Sequence, residues 1–294
     1  MKRAKKAGII TAVSIVGLLI SAALISFLLS AYGLTVTHYE LADAKLSRPV
    51  RAVLLADLHD SEFGRGNSRL IAAVREQEPD LILVAGDLVD QRDESTDIAV
   101  SLLKELSGIA PTYVSFGNHE LAHEEAYESD LRKAFTDAGA TVLDREWADI
   151  DVNGQAVRIG GIYGYCMPER YANEKPQWKT DSDFLKAMAD TGSPVILMCH
   201  MPYSWQERGS LEEWDIDAVL CGHSHGGQAR LPFIGGLWAP DRGWFPGREC
   251  GLYYSKNGER AMLLTRGLGS SGRIPRFNNI PEIAVLDIVP KADG

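Results

Sequence analysis

The sequence predicts an α/β protein built as a four-layer αββα sandwich: two mixed β-sheets face to face, helices outside, and one apolar helix in front. Three observations predict it. Short apolar runs of strand length alternate with helix-length segments through the first half of the chain, the pattern of parallel strands joined by crossover helices. From residue 141 the runs crowd together around Asn153-Gly154, a hairpin signal, so antiparallel strands enter and a single doubly wound sheet fits less well. Third, an Asp, His or Asn stands where several of the apolar runs end.

The chain opens on Lys2, Arg3, Lys5 and Lys6, and from Ala7 to Leu34 its only ionisable side chain is Tyr32. At about 1.5 Å per residue that run exceeds a hydrocarbon core of about 30 Å, so it reads as a membrane-spanning helix. A cleavable signal peptide is the alternative, but its apolar region runs only about 7–15 residues. An uncleaved anchor divides the chain into a stub and anchor, 1–33, and a catalytic domain, 34–294. The positive-inside rule keeps the basic cluster cytoplasmic and puts the domain on the extracytoplasmic side of the cell membrane, with a cleaved, secreted form as the other outcome.

Thr35 to Glu40 alternates as an edge strand and Arg51 to Ala56 is a nearly continuous apolar strand. Asn67 to Gln77 has helical spacing in Leu70, Ile71 and Val74 and stops before Pro79; Leu81 to Ala85 is the next buried strand. Ser95 to Leu106 reads as a helix capped by Ser95 or Thr96, Thr112 to Phe116 as a strand, and Glu124 to Ala138 as one charged helix ending near Gly139. Thr141 to Leu143, Ala148 to Val152 and Ala156 to Ile162 are strands, Asp181 to Ala189 a helix, and Val195 to Cys199 and Ala218 to Cys221 strands. The tail, with Leu252 to Tyr254, Met262 to Thr265 and Ile283 to Ile288, is mostly β. Between them, residues 226–251 are dense in Gly, Pro and aromatics, a long loop expected to be ordered near the site.

All forty acidic residues follow the anchor and four of the thirty basic ones precede it, so the domain carries −14 against −10 for the chain. Such a surface repels phosphate backbones at long range, and no nucleic-acid partner is expected. Cys199 and Cys221 read as small buried apolar residues, whereas Cys166 and Cys250 lie in Gly-rich stretches and are the two available to pair in an oxidising compartment.

The strand-end residues carry the chemistry. Asp57 and His59, one residue apart, share a face in extended chain, and His223 and His225 do the same. Asp87, after Gly86 at the next strand end, has two oxygens and suits a position between two cations. Asn118 offers a neutral carbonyl oxygen, or is a turn residue, and His119 beside it is the candidate for a histidine that protonates the leaving oxygen. Five of the seven histidines fall at these strand ends, which is what gathers them as a metal site.

Together, Asp57-Leu58-His59, Gly86-Asp87, Gly117-Asn118-His119-Glu120, His200 and Gly222-His223-Ser224-His225 resemble the calcineurin-like metallophosphoesterases. Gly226-Gly227-Gln228, Ala239-Pro240-Asp241 and the tail motifs Gly267-Leu268-Gly269 and Arg276-Phe277-Asn278 are similar to the bacterial membrane-associated, YkuE/YaeI-like phosphodiesterase branch. The resemblance covers nearly everything after the anchor. It implies the metallophosphoesterase fold and one metal held by Asp57, His59, Asp87 and His225, with a second held by Asp87, Asn118, His200 and His223. It further implies His119 as catalytic acid and a metal-bridging water that attacks phosphorus in line. His200 enters on the resemblance alone. Mn²⁺, Fe and Zn²⁺ all suit such ligands.

The expected function is a membrane-anchored phosphoesterase cleaving phosphodiester or pyrophosphate bonds of lipid-linked or nucleotide-sugar substrates. A phosphomonoesterase or nucleotidase for small soluble substrates, and a non-catalytic metal-binding module, are the alternatives. His38 is expected to be an exposed strand residue and His123 a solvated helix residue. Arg276 is expected either to contact substrate phosphate or to make a structural ion pair.

Overall fold

The computed structural model describes residues 2–270 and 274–291, the side chains of 2–5 and 7 excepted. Of the basic cluster, the side chains of Lys2, Arg3 and Lys5 therefore lie outside the described residues. Helix α1 (Lys2–Tyr32) runs through the whole apolar segment; Gly8–Tyr32 is long and apolar enough to cross a membrane, and its most apolar window has no buried residue.

The strands are β1 (Thr35–Asp43), β2 (Val50–Leu55), β3 (Leu81–Ala85), β4 (Thr112–Ser115), β5 (Thr141–Val142), β6 (Glu146–Val152), β7 (Gln155–Ile162), β8 (Val195–Cys199) and β9 (Ala218–Cys221). There follow the two-residue strands β10 (Arg230–Leu231), β11 (Gly235–Gly236), β12 (Trp238–Ala239) and β13 (Gly243–Trp244), then β14 (Gly251–Tyr254), β15 (Ala261–Leu264) and β16 (Glu282–Pro290). The further α-helices are α2 (Ser68–Arg75), α3 (Asp97–Ser107), α4 (Asn118–Tyr127), α5 (Leu131–Asp137), α6 (Pro176–Ala189) and α7 (Ser210–Glu213).

One six-stranded sheet has the order β1-β16-β2-β3-β4-β5 and the other β14-β15-β9-β8-β7-β6. Within the first, β2 to β5 are mutually parallel, while β16 runs antiparallel to β2. In the second, β7, β8, β9 and β15 are parallel and both edge strands antiparallel to their neighbours. The sheets meet through Leu54, Leu83, Ile159, Met198, Leu220 and Leu263. Leu70, Leu102 and Phe135 of α2, α3 and α5 cover the first sheet, and Phe184 and Leu185 of α6 with Trp205 cover the second. Because both faces of β2, β3, β8 and β9 are covered, those strands read as unbroken apolar runs.

The fold is the sandwich the sequence predicts, and the departures are local. The single helix expected from Glu124 to Ala138 is two: α4 starts earlier, at Asn118, and ends where Glu128 takes φ 52°. Asp130 then caps α5 by accepting from Lys133 N–H at 2.8 Å. Asn118 is therefore a first helical residue and not a turn residue. Asn153 and Gly154 both have positive φ, 55° and 83°, as a tight β6–β7 hairpin requires. Helix α6 begins five residues earlier than expected, with Pro176 in its first turn. The proposed partners Cys166 and Cys250 do not pair: all four cysteines are free, and Cys166 Sγ lies 3.6 Å from Cys199 Sγ in the core under α6.

Candidate metal centre

Every sequence-predicted site residue arrives at one end of the sandwich, where β2, β3 and β4 of one sheet and β8 and β9 of the other terminate. The chain must turn out of each strand within a residue or two. Asp57, His59, Asp87, His223 and His225 accordingly hold φ between 45° and 69°, left-handed backbone that costs energy in a non-glycine residue and is common at functional sites. Two glycines make the convergence possible. A Cβ on Gly86 (φ 80°) would lie 2.6 Å from Gly117 N and 2.7 Å from His200 Nδ1, and one on Gly267 (φ 66°) 2.4 Å from Asp57 Oδ2.

Asp57, His59 and His225 bring ligand atoms within 4.8 Å of one another, and so do Asp87, His200 and His223. Asp87 stands between the two groups: its Oδ2 is 3.1 Å from His200 Nε2 and 3.7 Å from His59 Nε2, while Oδ1 accepts from His119 N–H at 2.9 Å. Asp57 Oδ1 accepts from His223 N–H at 2.9 Å.

The buried polar atoms test whether these residues fit metal ions. Both ring nitrogens of His59, Nδ1 of His225 and Oδ1 of Asn118 are buried without a hydrogen-bond partner, and Nε2 of His200 has the Asp87 carboxylate beside it. Four orphaned donor atoms in one spot would each cost about 1–3 kcal/mol if they served no ion. His200 Nδ1 is engaged by the Ala85 carbonyl at 2.8 Å, which in the neutral ring leaves the Nε2 lone pair facing Asp87. Lone pairs and carboxylates converging in this way fit divalent cations.

The electrostatics agree. Burial, reinforced by Asp87 and opposed by His200, lifts the Asp57 carboxyl to about 6. Burial lowers His59 to about 3 and His225 well below the usual histidine value, so both are neutral lone-pair donors at pH 7. Burial also opposes charge on Asp87 and His200, but their mutual attraction outweighs it, lowering the first and raising the second to about 10. In the absence of a cation, a proton on His200 balances Asp87.

His119 sits at the rim of this group. Its Nδ1 accepts from Gln91 N–H at 3.1 Å, so the neutral ring carries its proton on Nε2; Asp90 Oδ1 is 3.8 Å from the same Nδ1. Burial lowers its pKa, with Asp87 and Asp90 pulling the other way. His59, Asp90 and His119 also come within ligand distance of one another, a grouping the sequence did not suggest for Asp90.

Sequence reasoning missed two residues. Glu120, wholly buried, accepts from the N–H groups of Asp87 and Gly117 at 2.7 Å each and of Leu88 at 2.6 Å, tying the β3 turn to the start of α4. The signal was an acid at the third helical position, able to reach back to Gly117 N–H. Asp241, from the long loop, places Oδ2 3.2 Å from His223 Nε2 and accepts from the Tyr165 hydroxyl at 3.0 Å. The motif Ala239-Pro240-Asp241 marked its position but not its contact with His223. Two expectations are corrected: His123 is fully buried, its Nδ1 2.8 Å from Ser129 Oγ, because α4 turns that face inward. Arg276 makes no ion pair among the described residues; buried, it donates to the carbonyls of Gly269 and Arg266. His38 is exposed, as expected.

The calcineurin-like phosphoesterase family model matches residues 50–227, which spans all eight predicted site residues and more than half of the chain. The chain belongs to that family and is a metal-dependent phosphoesterase. Phosphodiesterase YaeI of Escherichia coli K12 is 32% identical over 251 residues, 82% of this chain and 83% of that one. The uncharacterized metallophosphoesterase YkuE of Bacillus subtilis is 25% identical over 244 residues, 81% of this chain and 78% of its own. A transmembrane protein with metallophosphoesterase domain from Danio rerio is 27% identical over 279 residues, 89% of this chain and 60% of the relative.

Proposed function

We propose that this chain is a membrane-anchored phosphodiesterase or pyrophosphatase using two metal ions, with residues 1–33 as anchor and 34–294 as an extracytoplasmic catalytic domain. Asp57, His59, Asp87 and His225 would hold one ion, and Asp87, Asn118, His200 and His223 the other. Asp87 carries this reading: a buried carboxylate between two ligand groups, one of which includes His59 and His225 nitrogens with no hydrogen-bond partner. Two cations there would supply Lewis acidity and a nucleophilic water at neutral pH. Mn²⁺, Fe and Zn²⁺ remain the candidates by ligand type. To act as the acid, His119 would carry a second proton on Nδ1, 3.8 Å from Asp90 Oδ1, and give its Nε2 proton to the departing oxygen, returning to the neutral ring.

The substrate we favour is a lipid-linked or nucleotide-sugar phosphoester, supported by the apolar helix and by the phosphodiesterase name of the YaeI relative. The test is hydrolysis of bis-p-nitrophenyl phosphate by the purified full chain with Mn²⁺. Asp87→Ala is expected to abolish turnover and to lower bound metal; an unchanged rate in that variant overturns the two-ion reading. Rates on mono- and diester substrates separate it from a monoesterase.

A further inference from the structure

Among the described residues outside α1, eight large apolar side chains are strongly exposed, and five of them, Leu231, Phe233, Ile234, Trp244 and Phe245, belong to one loop. The loop is two tight ribbons, β10 paired with β11 and β12 with β13. Phe233 at the first tip is completely exposed with φ 67°, and Phe245, just past β13 at the open end of the second ribbon, is 64% exposed with φ 57°. Apolar side chains held outward on left-handed backbone do not serve this fold's core. They mark a surface that meets something apolar.

The position of α1 says what. Its end is not on a linker: Gly33 N–H bonds the Leu29 carbonyl, and β1 starts at Thr35 already paired with β16. Ser30 is buried and its Oγ accepts from Asn279 N–H at 2.9 Å; Asn279 Nδ2 in turn donates to the carbonyls of His225 and Gln228. About 30 Å of helix is used up between Gly8 and Phe27. Residues packed on the last turn of α1 are therefore at headgroup level. The aromatic loop springs from the same place: Ala229 bridges Phe277, Arg230 N–H bonds the Phe277 carbonyl, and Asn278 Nδ2 donates to the Arg230 carbonyl. Its other attachment is the metal centre, through Asp241 and His223. Arg69 donates to the Tyr32 carbonyl at the end of α1, and Arg266, paired with Glu282, lines a hollow with Ile25 and Leu29 of that helix.

We infer that the loop 230–245 is a second membrane contact, seated in the interface of the leaflet from which α1 emerges, so that the metal cleft opens at headgroup level onto phosphoesters carried by lipids. Aromatic residues favour that zone. The inference rests on the membrane-anchored reading above and adds an orientation to it.

The experiment uses the full chain in nanodiscs of phosphatidylcholine and phosphatidylglycerol, with and without brominated acyl chains, which quench tryptophan at the interface. Trp244→Phe is expected to lower the lipid-dependent quenching at least about twofold, while Trp147→Phe, on the opposite sheet edge, leaves it unchanged. Equal quenching in wild type and Trp244→Phe overturns the loop contact. Resistance of the membrane-bound chain to carbonate extraction separates the two readings. Release by carbonate overturns anchoring and this inference together, whereas retention with unaltered quenching overturns this inference alone. As a functional arm, Phe233→Asp with Phe245→Asp is expected to slow hydrolysis of a p-nitrophenyl phosphodiester on diacylglycerol by about tenfold and leave bis-p-nitrophenyl phosphate within about twofold. Equal loss on both substrates counts against the headgroup-level cleft.

Discussion

Replacing Glu120 by Ala isolates the connection between two ligand-bearing turns. Its carboxylate takes three backbone N–H bonds of 2.6–2.7 Å, from Asp87, Leu88 and Gly117, in a place closed to solvent. Each donor left unsatisfied costs about 1–3 kcal/mol, and a water entering the vacated space recovers part of that, so about 3–5 kcal/mol is expected in all. For a domain of this size that lowers the melting temperature by about 8–15 °C. Burial and the nearby Asp87 charge raise Glu120 to about 7, so a neutral Glu120→Gln relieves some charge cost while losing one acceptor oxygen. It should fall between wild type and Ala in stability. Both variants should bind Mn²⁺ more weakly, because the Asp87 backbone loses the bond that fixes it. Thermal melts of metal-free protein, followed by titration with Mn²⁺, measure both effects. A melting temperature for Glu120→Ala within about 2 °C of wild type would refute the reasoning.

Other outcomes follow from the same geometry. His119→Ala should cut kcat on a diester with an alkyl leaving group by about 10²–10⁴, and much less on p-nitrophenyl esters, whose leaving group needs no proton; equal losses would remove His119 from the acid role. Gly86→Ala places a methyl 2.6 Å from Gly117 N on left-handed backbone, and should yield protein that no longer retains metal after gel filtration, where wild type does. Glu249, beside Arg242 at 3.0 Å, is lifted to about 7 by burial. An acid whose folded value is raised lends stability below its unfolded pKa and loses it as pH rises through about 7. Wild-type melting temperature should thus fall between pH 5 and 8 relative to Glu249→Gln, and parallel profiles would contradict the assignment.

How much was legible beforehand depended on whether a residue's role is local. Asp57, His59, Asp87, His223 and His225 were readable because each follows a strand that is apolar on both faces, and strand ends in a parallel sheet converge whatever the connecting helices do. His200 was not readable from spacing, since a lone histidine after an apolar run is usual core furniture. Its Nδ1 bond to Ala85 joins the two sheets across more than a hundred residues of sequence. The break at Glu128 went unseen for a related reason: the charged pattern continues through it, and the helix ends at the left-handed backbone of Glu128 with His123 buried on one side of the break and Phe135 on the other.

The long loop shows the same division. Its composition announced order near the site, but the contact of Asp241 with His223 and the outward set of Phe233 and Phe245 depend on where β10 to β13 attach, and that is decided by residues 277–279 at the far end of the chain. Those residues also hold Ser30 of α1. One short segment therefore joins anchor, loop and metal ligand, and a change at the Asn279 side chain should reach the last two: Asn279→Ala removes the donors to His225 and Gln228, while its backbone N–H still bonds Ser30. Metal affinity and loop quenching should fall together in that variant. If metal affinity fell while lipid quenching at Trp244 stayed at the wild-type level, the segment would support the site without fixing its height over the membrane, and the two halves of the molecule would be mechanically independent.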